Sequence, residues 1–304
     1  MTSSTDRVAR LESAWVALEG LSVGDAFGER FFGPPESAMQ RIAERREAKP
    51  PWPWTDDTEM AVSIVEELAA HGRIDQGSLA QRFAKRMTYG RGYGQGAYTL
   101  LAKVREGEDW GVASRTLFRG MGSFGNGGAM RAAPIGAYFS HDIARCIDEA
   151  RAAAEVTHAH PEGIAGGIAV AVAALHAVRG RAASRPLADG LLDLVREATP
   201  AGLLRDAIDE ARGIAGTTPV VEVARALGNG SGVTAPDTVP LCLWMLANRA
   251  PAYGESLWAT VSALGDRDTT CAIVGGVAAC FYGVDAIPPS WRAAREPLPI
   301  ARSW

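Results

Sequence analysis

Two short acidic clusters carry the side chains best suited to chemistry. The first, WTDDTEM at residues 54–60, sets Thr55, Asp56 and Asp57 side by side. The second, LGDRDTT at residues 264–270, sets out Asp266, Asp268 and Thr269. Each cluster offers two carboxylates and a neighbouring hydroxyl, the oxygen donors that hard divalent ions such as Mg²⁺ and Mn²⁺ prefer. Crowded carboxylates repel one another unless a cation offsets them. Helix capping accounts for either cluster taken alone: Asp56 with Glu59 three residues on fits a capping box, and acids gain from the partial positive charge of a helix N-terminus. Together the clusters could furnish a two-metal site, although spacing alone does not show that they meet.

Between them lies MGSFGNGGAMRAAP, residues 121–134. Gly122, Gly125, Gly127 and Gly128 admit conformations that other residues resist. They also let backbone N–H groups approach a ligand, as in an anion-binding nest. Phe124 can stack on a base, and Asn126 both donates and accepts hydrogen bonds. A plain glycine-rich connection between helices explains the segment equally well. In VTHAHPEGIAGG, residues 156–167, His158 and His160 precede Pro161, a residue suited to a first helical turn. The further His or Cys ligands of a zinc site are missing. No Ser–His–Asp or Cys–His arrangement can be built from local motifs.

The elements that must position these groups read as helices. Apolar residues recur at helical spacing in residues 11–28 and again in 58–72, where Gly72 is a plausible stop. Further helical stretches are expected at 78–88, 98–105, 142–155, 161–178, 187–198 and 203–214. Four more follow at 220–227, 239–248, 253–263 and 269–282. Gly166, Gly167 and Ala169, and likewise Gly275, Gly276 and Ala279, would let neighbouring helices approach closely. Residues 49–54, rich in proline, read as a loop entering a helix. No repeat and no long linker appears, so one all-α domain over residues 1–304 is expected.

With 47% hydrophobic and 22% charged residues, the 304-residue chain has the composition of a globular protein with a substantial core. A net charge of −4 excludes a global basic surface for nucleic acid. The arginines between residues 41 and 46 read as a solvated helix face. Cys146, Cys242, Cys271 and Cys280 lack CxxC pairing and read as buried thiols of a reducing compartment. Charges in MTSSTDRVARLESAW stand where a signal peptide needs its apolar stretch. Residues 163–178 fit a buried helix better than a membrane span. The reading is a cytoplasmic protein.

These motifs, in this order, resemble the ADP-ribosylglycohydrolase family, also called the dinitrogenase-reductase-activating glycohydrolase family. The resemblance runs from GLSVGDAFG at residues 20–28 to YGVDAIPPSW at 282–291. WTDDTEM and GDRDTTCAIVGG are its most specific parts. SFGNGGAMRAAPIG and THAHPEGIAGGIAVA match well, and VPLCLWML at 239–246 lends weaker support. The resemblance implies a compact, single-domain orthogonal helical bundle with two Mg²⁺ or Mn²⁺ ions in a cleft. Carried over by motif, Thr55, Asp56, Asp57, Asp266, Asp268 and Thr269 are the implied ligands. Ser123, Phe124, Gly125, Asn126, Gly127 and Gly128 would hold the ADP-ribose, with Phe124 near the adenine and His158 alongside. The implied reaction is hydrolysis of the bond between the ribose anomeric carbon and an acceptor nitrogen or oxygen. Asp57 or Asp268 would interact with the attacking water as well as with metal. The implied substrate is an ADP-ribosylated protein, nucleic acid or small molecule.

Two positions depart from the family pattern. Phe32 falls where a glutamate that reaches the reaction centre is usual, so Glu29 or Glu36 substitutes for it, or the group is missing. Arg267 stands where a small residue is usual, pointing to solvent or reaching a substrate phosphate. A two-metal phosphoester hydrolase and a non-catalytic ADP-ribose-binding relative are the competing readings.

Overall fold

The computed structural model describes residues 4–302 and 304. Among these, the chain forms seventeen α-helices, one 3₁₀ turn and no extended strand, with two isolated bridges joining Trp52 to Arg295 and Gly125 to Thr234. The fold is an all-helical single domain, as expected.

Its most extensive helix pairing joins the two ends of the chain: Ser4–Glu29 lies along Arg267–Tyr282. A glycine stripe on the first helix explains why they pack so closely. A Cβ at Gly24 would stand 2.1 Å from the Cys271 carbonyl oxygen, and one at Gly28 would stand 2.1 Å from that of Arg267. Backbone therefore touches backbone, with no side chain between. Gly275 answers from the other helix, its missing Cβ 2.6 Å from the Gly20 oxygen. This contact fixes where the second acidic cluster, at the start of Arg267–Tyr282, sits relative to the end of Ser4–Glu29.

Pro161–Ala182 runs through the core and packs against Ile143–Glu155, Ala133–Tyr138, Ala235–Asn248 and Arg267–Tyr282. Although apolar and 22 residues long, it has 83% of its most apolar window buried within the protein, as the small-residue reading implied. Gly166 makes room for Ala235, as a Cβ there would come within 2.7 Å of the Ala235 Cβ.

The helix Asp56–His71 ends at Gly72 (φ 65°), the expected stop. Its cap differs from the expectation: Thr55, not Asp56, is the N-cap and accepts the Asp57 N–H at 3.4 Å. Glu59 does not reach back to the cap. It accepts from the Thr88 N–H at 2.9 Å and the Tyr93 hydroxyl at 2.8 Å. Helices at Trp110–Gly120, Gly127–Met130, Ala133–Tyr138 and Pro289–Ala294 were not anticipated, and Pro35–Ala43 takes in only the start of the 41–46 stretch read as a helix face. Two of them convert the latter half of the expected 121–134 loop into helical turns.

Candidate active site: an acidic cleft beside a glycine turn

The two acidic clusters meet. Thr269 directs its hydroxyl to Asp57 Oδ2 at 3.5 Å, across 212 residues of sequence. Asp56, Asp57, Asp266, Asp268 and Thr269 line one cleft of about 560 Å³, and the residues 123–127 turn and His158 line it too. Two other grooves reach similar size, about 580 and 670 Å³. The larger contains Glu59, Glu66 and Glu296, but Glu66 and Glu296 are paired with Arg86 and Arg91, and Glu59 accepts from Thr88 and Tyr93. Only the first gathers carboxylates without cationic partners among the described residues.

Asp25, a residue the sequence reading left out, organises the floor. It is fully buried on Ser4–Glu29 and accepts from the Thr55 N–H (2.9 Å), the Thr55 hydroxyl (2.9 Å), the Thr58 N–H (3.1 Å) and the Thr58 hydroxyl (2.5 Å). Burial pushes its pKa up to about 6 against the opposing pull of those hydrogen bonds. Asp56 is pushed up to about 8, first by burial and then by the charges of Asp25 and Asp266. Burial, then Asp25 and Asp268, hold Asp57 well above the usual carboxylate range. Asp268 is raised by burial and by Asp266.

A buried oxygen of Asp57, Oδ1, has no hydrogen-bond partner among the described residues. Buried acceptors are rarely left so. No three His, Cys, Asp or Glu side chains among the described residues form a ready-made metal cage. The donors instead stand along the cleft, mixed with hydroxyls. Mutually repelling carboxylates, an orphaned oxygen and two threonine hydroxyls suit a hard divalent cation completed by water or substrate oxygens.

The glycine turn forms the adjoining wall. Ser123 Oγ accepts the Gly125 N–H at 3.2 Å, and Asn126 N donates to Val233 O at 3.2 Å. The Asn126 amide donates to Asp266 Oδ2 at 2.7 Å and to Thr238 at 3.1 Å. It thus ties the turn to the second acidic cluster. Gly125 and Gly127 lie against His158, where a Cβ on either would come within 3.2 and 3.0 Å of Nε2. Phe124 is 41% exposed and leans on His160, ring centroids 5.3 Å apart. Phe118, also half exposed, lines the same cleft from a kink with left-handed φ at Phe118 and Arg119.

Three expected site residues are not on the cleft lining. Thr55 faces Asp25 and Asp57, its hydroxyl 3.1 Å from Asp57 Oδ2. Gly128 is buried, and a Cβ there would lie 3.1 Å from Gly163 O, a helix-packing position. Glu29 sits beside the cleft, half buried and 3.8 Å from Arg30. Its pKa is raised by burial, opposed by Arg30, with Asp266 raising it further. Glu36 is exposed in the first turn of Pro35–Ala43. Arg267 neither reaches solvent nor lines the cleft: it is 6% exposed, donates to Phe31 O at 3.1 Å and lies over the Phe32 ring at 5.1 Å. Asp25 left one signal, a carboxylate flanked by the apolar and small residues of GLSVGDAFG at 20–28. Phe118 and the Gly92–Gln95 wall left none.

Fold and cleft define an all-helical protein that draws carboxylates from both ends of its chain to one site. A family model described as ADP-ribosylglycohydrolase matches residues 6–303. ADP-ribosylhydrolase ARH3 of Homo sapiens is 32% identical over 276 residues, covering 80% of this chain and 74% of that protein. ADP-ribosylarginine hydrolase Tri1 of Pseudomonas putida is 25% identical over 299 residues, covering 92% and 73%. A solved structure described as an ADP-ribosylglycohydrolase-related protein complex superposes with a TM-score of 0.68 at 27% identity, covering 95% of this chain and 94% of that one. The chain belongs to the ADP-ribosylglycohydrolase family.

Proposed function

We propose that the protein hydrolyses the glycosidic bond between ADP-ribose and an acceptor nitrogen or oxygen, with two Mg²⁺ or Mn²⁺ ions. The observation that carries this reading is the meeting of Asp57 and Thr269 in one cleft, with an Asp57 oxygen unpartnered. Asp56, Asp57, Asp266, Asp268 and Thr269 would hold the ions, with Thr55 contributing the lone pair its hydrogen bonds leave free. When bound, such ions supply Lewis acidity that orients the ribose hydroxyls and activates water.

The chain's own groups do the rest. The residues 123–127 turn cradles ribose and diphosphate, and Phe124, with Phe118 on the same cleft lining, offers an exposed ring to the adenine. Positive charge growing on the sugar ring is stabilised by the surrounding carboxylates. Asp57 or Asp268 takes the proton of the attacking water, and Glu29, close enough for the Asp266 charge to raise its pKa, would assist. Of the two named relatives only Tri1 carries a linkage in its name, that to arginine, so the acceptor is assigned by assaying substrates of defined linkage.

Calorimetry of ADP-ribose binding tests the reading. Binding is expected to tighten with Mg²⁺, and Asp56→Ala or Asp268→Ala to abolish that gain. Glu29→Gln is expected to lower turnover and leave the gain intact. If Mg²⁺ alters neither binding nor melting temperature, the proposal fails. Release of phosphate from simple esters, without ADP-ribose, would point to a phosphoester hydrolase.

A further inference from the structure

We propose that Arg131 and Thr157 are positioning residues that hold the His158 ring in the Nε2–H tautomer, so that it presents a fixed, uncharged donor to an anionic oxygen of the ligand in the cleft. This rests on the reading of the cleft as an ADP-ribose site, and it concerns residues that line no part of it.

Arg131 is fully buried in the core. Its guanidinium lies over the Phe83 ring at 4.6 Å and donates to Met60 Sδ at 3.3 Å and Ala153 O at 3.1 Å. Its Nη2 also donates to Thr157 Oγ1 at 2.8 Å. A guanidinium has no acceptor to offer. The Thr157 hydroxyl proton must therefore go elsewhere, and the remaining neighbour is His158 Nδ1 at 2.7 Å. Were Nδ1 itself protonated, the buried Thr157 hydroxyl would have no acceptor, a state that proteins avoid. Nδ1 accepts, so the ring proton is on Nε2.

Nε2 has no partner among the described residues, and His158 lines the cleft. It points across Gly125 and Gly127, where any side chain would block it. The ring stays neutral: burial and then the Arg131 charge lower its pKa to about 3. One buried cation thus fixes the direction of a neutral donor through a threonine relay, and the ring's freedom to flip tautomer is removed before the ligand arrives.

Nitrogen-15 NMR of histidine-labelled protein reads the tautomer directly, with His158→Gln assigning the signal among five histidines. The wild type is expected to show the Nε2–H form alone. Thr157→Val, which keeps shape and removes the hydroxyl, is expected to populate the Nδ1–H form and to weaken ADP-ribose binding about tenfold, the scale of one lost hydrogen bond to a charged group. Thr157→Ser is expected to restore both. An Nδ1–H signal in the wild type overturns the proposal. So does a Thr157→Val protein with unchanged tautomer, whatever its affinity. If Thr157→Val does not fold, the wild-type signal and the Thr157→Ser protein still decide. Wild-type protein that shows the Nε2–H form but binds no ADP-ribose would instead sink the functional reading.

Discussion

Asp25 shows how much a single buried carboxylate can organise. Its two oxygens receive four donors from the segment that carries the first acidic cluster. Asp25→Ala strands those donors in a dry site, so unfolding free energy is expected to fall by about 3 kcal/mol or more. Urea denaturation measures the loss, and a change within 0.5 kcal/mol, roughly the range of ordinary surface substitutions, would remove Asp25 from its organising role. The sequence marked its neighbours Asp56 and Asp57 by their clustering. Asp25 went unmarked because it is one of five acids spread along Ser4–Glu29, and a scattered acid on a long helix has the signature of a surface residue. Arg267 misled in the opposite direction. Its charge suggested solvent or a phosphate, but the stacked Phe32 ring and the Phe31 carbonyl hold it within the protein.

Among the elements, the pairing of Ser4–Glu29 with Arg267–Tyr282 matters most to the site. Gly24→Ala would press a methyl into the Cys271 carbonyl. Overpacking of this kind costs about 1–3 kcal/mol, more where backbone cannot yield. It also shifts the second acidic cluster, so Mg²⁺-dependent stabilisation is expected to weaken along with the melting temperature. Gly213→Ala, at the end of a helix with no atom within 4 Å of the new methyl, is the control and is expected to be neutral or slightly stabilising. Equal melting of the two variants would refute the close-approach account. Long periodic helices were legible in the sequence because burial of one face imposes a period. Trp110–Gly120, whose backbone leaves helical geometry at Leu117–Arg119, was not, nor were the shortest helices. Ala133–Tyr138 and Pro289–Ala294 span six residues each, too few to show a period, and carry a proline in the first two positions that reads as loop. The 127–130 turn was hidden by its glycines.

At the scale of the whole molecule, the site is a concentration of like charge that folding must overcome. Asp56 is raised to about 8 when folded, against about 4 unfolded. Folding therefore favours its protonated form, and this contribution is lost progressively as pH rises from about 4 to about 8. His158 acts oppositely: lowered to about 3, it withdraws stability as pH falls below about 6.5. Metal-free protein is expected to melt higher at about pH 6 than at about pH 8.5. Mg²⁺ or Mn²⁺ is expected to raise the melting temperature more at the higher pH, because cations need ionised carboxylates. Thermal melts across that range check both signs, and a metal effect larger in acid would contradict them. That the two clusters converge at all was invisible to local spacing. Their order along the chain suggested it only through the family resemblance, because the contact depends on how far apart helices can be packed.

Thr269 and Asp57 close a loop of 212 residues. Ties this long tend to form late in folding, after shorter ones have been made. Interactions absent from the transition state leave the speed of folding alone and slow its reversal. A cation seated between those two residues would act as a latch on most of the chain, so that occupancy sets how long the folded molecule lasts rather than how quickly it is made.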